Sequence, residues 1–168
     1  MLVGASITGV TTEADRVPGG AGMKAGMIVT DHNGSQYVCC KVLATQNVVT
    51  GNVIWMDQNY GATIIASGPP TPSGTGMQVS LGVAANTATA STSQFFFAQV
   101  FGPGSVRVTD TTASNLPGHI LVIGSTPGEL KGAAPTASAY VAGIVLTATA
   151  STATLSACFI SFPKIGLS

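Results

Sequence analysis

Short runs of β-prone apolar residues, separated by Gly, Pro, Asn and Ser, recur along the chain from residue 27 onward. The first two runs are 27–30 and 36–43, and the segment between them contains Asn33 and Gly34. Two such runs around an Asn-Gly pair are the strongest short-range signal for a β-hairpin, and a type I′ turn needs positive φ at both central residues. We therefore predict a hairpin at 27–43 with a type I′ turn.

The rest of the chain carries further segments of the same kind and no convincing 3.6-residue apolar period. Many short strands at close spacing are typical of antiparallel sandwiches and barrels. We predict an all-β fold, a compact antiparallel β-barrel or sandwich of short strands over 27–168. The predicted strands after the hairpin are 52–57, 63–66, 79–84, 94–101, 105–108, 119–123, 141–147 and 157–162.

Residues 1–26 lack both helical and alternating apolar patterns, and 17–22 is a Pro- and Gly-rich loop signal. We interpret this segment as an extended N-terminal arm. A flexible arm can become ordered on a neighbouring protein. Its candidate partner-binding residues are Leu2, Val3, Ile7, Val10, Arg16, Met23 and Lys24.

Two parts of the sequence resemble each other. The succession 82–84, 87–92 and 95–101 has a counterpart in 143–145, 147–152 and 157–162. Both read as strand, small-residue linker, strand, which suggests two hairpins packed as pseudo-symmetric halves of one barrel. Low-complexity Ala/Thr composition is the alternative explanation.

The strand at 94–101 is apolar on both faces where it starts. Alternation puts Phe95 and Phe97 on one side, and Phe96 and Ala98 on the other. Such a strand is either central and covered on both sides, or offers one face to another subunit. Large aromatic residues dominate core burial, so we favour a core position.

Charged residues make up only 7% of the sequence, against about 25% in ordinary soluble proteins. Thr, Ser, Ala and Gly replace them, and the formal net charge is +0. A surface with so few charges of either sign has little protection against self-association. This favours an obligate oligomer or a component of a large assembly over a monomeric enzyme.

The same composition argues against several classes of function. The six Lys and Arg residues are scattered, which disfavours the contiguous basic patch of a nucleic-acid-binding protein. There is no apolar run of the about 20 residues that a membrane helix needs. The start lacks the charged n-region of a secretory signal, so we expect synthesis in the cytoplasm and no membrane attachment.

Candidate chemistry is sparse. Cys39, Cys40 and Cys158 have no metal-ligand spacing, and we predict buried free thiols. His32 and His119 have no catalytic signature around them. We therefore predict a protein that is not an enzyme, with no catalytic residues, no metal and no cofactor; a small hydrolase on a β scaffold remains as an alternative.

The ordered set of segments resembles a known family. It comprises QYVCCKV at 36–42, GNVIWMDQNYGA at 51–62, LGVA at 81–84, FAQVFG at 97–102, GIVLT at 143–147 and CFISFP at 158–163. This succession, over about residues 35 to 163, is similar to the capsid decoration, or cement, proteins of tailed phages. The resemblance implies a β-barrel-like domain on the outer surface of the phage head, often a trimer, bound to the major capsid protein. It carries over no functional residues, because the matching positions are strand and turn elements.

The expected function is therefore structural, with the virion capsid surface as location and the host cytoplasm as site of synthesis. One alternative remains within the same setting. A virion-surface binding module, such as a fibre base or a glycan or receptor binder, would be supported by an exposed aromatic platform at Trp55 or Tyr60.

Overall fold

The computed structural model describes residues 11–12, 24–43, 46–66, 80–89, 94–109, 115–133, 139–149 and 155–167. Within these ranges the chain forms eleven strands and no helix, so the predicted all-β class is confirmed. The strands are β1 Thr11–Thr12, β2 Ile28–Thr30, β3 Gln36–Val42, β4 Val53–Met56, β5 Gly61–Ile64, β6 Ser80–Ala84, β7 Gln94–Arg107, β8 Leu121–Ile123, β9 Leu130–Gly132, β10 Ala139–Leu146 and β11 Leu155–Leu167.

Five of these strands close into a barrel in the order β3-β5-β4-β6-β7, and β7 returns to β3. The β3–β5 pair is parallel and the other pairs are antiparallel. Closure leaves no open sheet edge in the ring. Buried side chains fill its interior, including Cys40, Ile54, Met56, Phe96 and Ala98. The barrel is therefore a packed core.

Strand β7 is shared between the barrel and a second sheet. Its first part pairs with β3 and β6, and its residues from Phe101 to Arg107 pair with β11. The second sheet continues from β11 to β10, β8 and β9. A parallel bridge between Leu130 of β9 and Val108, the residue after β7, then links the far end of this sheet to the end of β7.

The prediction of separate strands at 94–101 and 105–108 was wrong, because β7 is continuous. Gly102, Pro103 and Gly104 look like a loop in the sequence. In the structure β11 pairs with all three of them. A neighbouring strand thus overrides the local signal of Gly and Pro.

Three hydrophobic clusters follow from alternation along the strands. On β4, Ile54 points into the barrel, and Val53 points into a second core between the barrel and the second sheet. That second core also holds Leu81, Leu130 and Ile160. The third cluster covers the outer side of β3 and β7, where Ala25, Met27 and Val29 pack over buried residues that include Phe95 and Phe97. The aromatic strand is covered on both faces, which confirms its core position.

The predicted first hairpin is present, and β2 pairs antiparallel with β3 from Ile28↔Val38 to Thr30↔Gln36. The type I′ turn was wrong: Gly34 has a φ of 81°, and Asn33 is not in the positive-φ region. The Asp31 carboxylate shapes the loop instead. Its Oδ1 accepts hydrogen bonds from the backbone N–H groups of Asn33 at 2.8 Å and Ser35 at 2.9 Å.

The hairpin of β4 and β5 repeats this loop. Oδ1 of Asp57 accepts from the N–H groups of Asn59 at 2.7 Å and Gly61 at 2.9 Å. Counted from the aspartate, the fourth residue of the first loop is Gly34. The fourth residue of this loop is Tyr60, with a φ of 60°. Both loops read Asp-x-Asn, which is the sequence signature of the shared geometry.

The two similar segments form hairpins with the same register. Val83 pairs with Gln99, and the residues 61 positions later, Ile144 and Ile160, pair in the same way. Their equivalence is therefore structural. They are not halves of one barrel, because β6–β7 belongs to the barrel and β10–β11 to the second sheet.

Other strand bounds differ from the predictions. Strand β9 was missed, and β11 extends to Leu167. Of the predicted arm, the structure describes 11–12 and 24–26. Thr11 pairs with Phe95 of β7, and the N–H of Gly26 donates to the carbonyl of Cys39. These parts of the arm lie against the barrel.

Candidate interaction surface

The outer side of the second sheet forms an uncharged surface across three strands. Along β11, residues 155, 157, 159 and 161 are exposed, as alternation requires for one side of a strand. Phe159 pairs with Pro103 of β7 on one side and with Val145 of β10 on the other. We name this surface the β11 face; its members are Phe101, Pro103, Ser105, Val145, Leu155, Ala157, Phe159 and Ser161.

Large apolar side chains stand out from this face. The exposed fractions are 48% for Val145, 46% for Leu155 and 41% for Phe159. Arg107 borders the face, but its guanidinium is engaged by the Thr50 carbonyl at 3.0 Å and by Glu129 at 4.0 Å. Contiguous exposed apolar patches are a feature of interaction surfaces, which makes the β11 face the candidate surface of this protein.

An aromatic trio ends the face. The ring of Phe101 lies 5.6 Å from that of Phe159, with an interplanar angle of 81°, and 5.6 Å from that of Phe162. Edge-to-face and tilted pairs at such distances are favourable. The trio therefore forms an ordered apolar ridge. The most exposed of the three side chains is Phe162, at 59%.

The backbone of Phe162 is strained. Its φ is 46°, in the left-handed region that costs L-residues other than Gly about 1–2 kcal/mol. It lies in an irregularity of the β10–β11 ladder, between the pairs Ala142↔Lys164 and Ile144↔Ile160. Bulges of this kind redirect side chains, and the side chain of Phe162 at this one is exposed.

Beside Phe162 a cleft of about 550 Å³ opens at one end of the barrel. Met56 ends β4 and Ser80 begins β6, which places the cleft at that end. Side chains of the barrel core form part of its wall, and exposed apolar side chains lie at its opening. The described lining residues are Ile28, Val38, Met56, Tyr60, Ser80, Leu81, Val100, Phe162, Pro163 and Lys164.

Two features set the shape and charge of the cleft. The Tyr60 ring packs on Gly26, where an added Cβ atom would lie 2.5 Å from its Cε2. Lys164 is the charged residue among the described lining residues, and no carboxylate accompanies it. In the part of the chain that the structure describes, Lys164 forms no ion pair.

The predicted buried thiols are confirmed: Cys39, Cys40 and Cys158 are free and buried. Desolvation raises the pKa of Cys40, with smaller contributions from Cys39 and Asp57, and burial raises that of Cys158 to about 12. All three thiols are thus shielded from solvent. Cys40 and Cys158 are protonated at neutral pH and are poor nucleophiles.

The histidines do not meet in one place. His32 lies in the β2–β3 loop and His119 in the loop before β8, and both are exposed. Among the described residues, no group of three His, Cys, Asp or Glu side chains could hold a metal ion. Nor do those residues contain a helix long and apolar enough to cross a membrane.

Of the predicted partner-binding residues, Lys24 lies within the described ranges and is exposed, and its backbone N–H lies 3.2 Å from Sδ of Met27. Leu2, Val3, Ile7, Val10, Arg16 and Met23 lie outside the described residues. Of the two aromatic platform candidates, Trp55 is half-buried against the second core and Tyr60 is 41% exposed.

Sequence reasoning missed the β11 face and the cleft. In the sequence, the residues that point to one side of 157–162 and those that point to the other are both largely apolar, as in the aromatic strand. This pattern was the available indication of an apolar surface. It could not show which set the core would cover.

Neither a family model nor a curated protein sequence matches the chain. Its fold defines it as an all-β protein in which a closed barrel shares a strand with a second sheet.

Proposed function

We propose that the chain is a structural virion protein of the capsid decoration type, which binds the outer surface of an assembled tailed-phage head as a symmetric oligomer, a trimer. The uncharged, apolar β11 face carries this proposal. Phe159 and Val145 stand exposed at its centre, where a soluble monomer would be expected to carry charge.

The physical basis is binding without chemistry. A protein that binds the assembled lattice and not its free subunits stabilises the lattice by mass action. An oligomer that touches several capsid subunits gains avidity, because each contact after the first is effectively intramolecular. Weak individual contacts then suffice.

The residues of the β11 face suit such contacts. Small and rigid side chains such as Ala157, Ser161 and Pro103 lose little conformational entropy when a partner covers them. In the proposal the face meets another copy or the major capsid protein, and the N-terminal residues Leu2, Val3, Ile7 and Val10 add a second contact. No enzymatic step, nucleic acid or membrane takes part.

The second candidate is a virion-surface binding module, which the exposed Tyr60 beside the cleft favours. Small-molecule sites combine aromatic side chains with a small number of well-placed polar groups. The cleft is mostly apolar, so decoration remains the first proposal. Binding of a panel of glycans by the isolated protein would favour the second.

The test is attachment to heads that lack the protein, taken from the phage whose genome encodes it. Purified protein is mixed with expanded heads, and bound protein is measured by co-sedimentation and located by electron microscopy. Light scattering after size exclusion gives the oligomeric state. We expect regular density on the head surface and a trimer.

Two matched variants sharpen this test. Phe159→Lys puts a charge in the β11 face, and Leu116→Lys puts one at another exposed apolar position, outside the face. We expect the first to reduce oligomerisation or attachment at least about tenfold, since burying an unpaired charge is costly. The second should leave both unchanged. A monomer without affinity for heads would contradict the proposal.

A further inference from the structure

The cleft at the barrel end has the dimensions and lining of a small-molecule site. Its volume is about 550 Å³, within the about 300–1,000 Å³ that is typical of such sites. Val38, Met56 and Val100 are nearly fully buried, with exposed fractions of 6%, 3% and 6%. All three line the cleft, so the wall that an apolar chain would meet there is aliphatic and includes a thioether residue.

Three of the described lining residues have polar side chains, and the others are apolar. Ser80 and Tyr60 contribute hydroxyl groups, and Lys164 contributes an ammonium group. Because Lys164 has no anionic partner among the described residues, the described part of the lining carries one uncompensated positive charge. An ammonium group of this kind recognises a carboxylate or sulfate through charge-assisted hydrogen bonds.

We infer that the cleft binds a free amphipathic anion, an unbranched alkyl chain that ends in a carboxylate or sulfate. The alkyl chain lies against Val38, Met56 and Val100, and the head group meets Lys164 at the opening. The charge of Lys164 finds no such anionic group on the alternative occupant, residues 1–10 of a second copy. That segment has apolar side chains and no carboxylate in residues 1–10.

The site is independent of the proposed attachment to capsids. Binding can be measured on the isolated full chain by calorimetric titration with laurate below its critical micelle concentration. Dodecyltrimethylammonium and dodecanol serve as the cationic and neutral probes of equal chain length. We expect laurate to bind at one site per chain and at least about tenfold more tightly than either analogue, a difference of about 1.4 kcal/mol.

Variants of the cleft separate head-group recognition from chain burial. Lys164→Ala should weaken laurate binding at least about tenfold, whereas Lys131→Ala, on β9 outside the cleft, should not. Ser80→Trp should fill the opening and abolish binding of all three probes. Ser80 is exposed at the start of its strand, and an unchanged thermal unfolding midpoint would verify that the fold is intact.

Several results would overturn the assignment. These are equal affinity for laurate and dodecyltrimethylammonium, no effect of Lys164→Ala, or no binding up to the micelle limit. Binding to anionic phospholipid vesicles without binding of monomeric laurate would assign the surface to a bilayer instead. Preference for an apolar peptide with a free carboxyl terminus would assign it to a protein partner.

Discussion

Gly102 packs so closely against Ser35 that a Cβ atom on Gly102 would lie 2.8 Å from the Cα atom of Ser35. Gly102 has a φ of 102° and stands where β7 passes from the barrel to the second sheet. Ser35 is 2% exposed, at the end of the Asp31 loop. This contact thus adds to the β3–β7 pairing that joins the first hairpin to the shared strand.

Gly102→Ala should therefore destabilise the fold strongly. The φ value costs an alanine about 1–2 kcal/mol, and the forced shift of the Ser35 backbone adds about 1–3 kcal/mol. Gly118→Ala is the matched control, because Gly118 has a φ of 79° and open space around its Cβ position. Urea unfolding measures both; equal free energies of unfolding for the two variants would show that the Ser35 contact is unimportant.

Asp57→Ala should lower the free energy of unfolding by about 1–3 kcal/mol. The change removes the acceptor for two backbone N–H groups, those of Asn59 and Gly61. Asp57→Asn keeps an acceptor oxygen at the same place and should cost less. If the two variants unfold at the same urea concentration, these hydrogen bonds do not stabilise the loop.

At position 162 we expect glycine to give a more stable protein than alanine. Phe162→Gly and Phe162→Ala both lose the ring contact with Phe101, but only alanine retains the unfavourable φ of 46°. The expected difference in the free energy of unfolding is about 1 kcal/mol. Thermal and urea unfolding test it, and a more stable alanine variant would show that this backbone is not strained.

Stability should decrease at alkaline pH. Burial raises the pKa of Cys40 and, to about 12, that of Cys158 above the ordinary thiol value of 9.0, and desolvation raises that of Tyr37. Below about pH 9 both the folded and the unfolded chain keep these protons. Between about pH 9 and 12 the unfolded chain loses them first, so Cys40 and Cys158 each lower the free energy of unfolding by roughly 1.4 kcal/mol per pH unit.

Urea unfolding between pH 7 and 11 measures this decrease, and Cys158→Ala should flatten it. A thiol reagent gives a second readout. At pH 8 the three thiols should react slowly in the native protein and rapidly in urea, since all three are buried. Rapid labelling of native protein would contradict the burial of these side chains.

Much of the fold could be predicted from local pattern. Short β-prone runs separated by Gly, Pro, Asn and Ser located the hairpin of β2 and β3 and most of the later strands, and cysteines without metal-ligand spacing indicated buried free thiols. The Asp-x-Asn loops show where such reasoning stopped. The Asn-Gly pair was recognised, but the Asp31 carboxylate determined the turn type by hydrogen bonds that the pair alone does not reveal.

By itself the sequence determined that this protein is all β, poor in charge and without a recognisable catalytic motif. The tertiary structure decided that β7 serves two sheets, that β3 and β5 pair in parallel, and that Phe159 and Val145 face outward while Ile160 and Ile144 face the core. The reason is physical: alternation fixes which residues share a face of a strand. Which face is covered depends on strands distant in sequence, whose pairing no local pattern specifies.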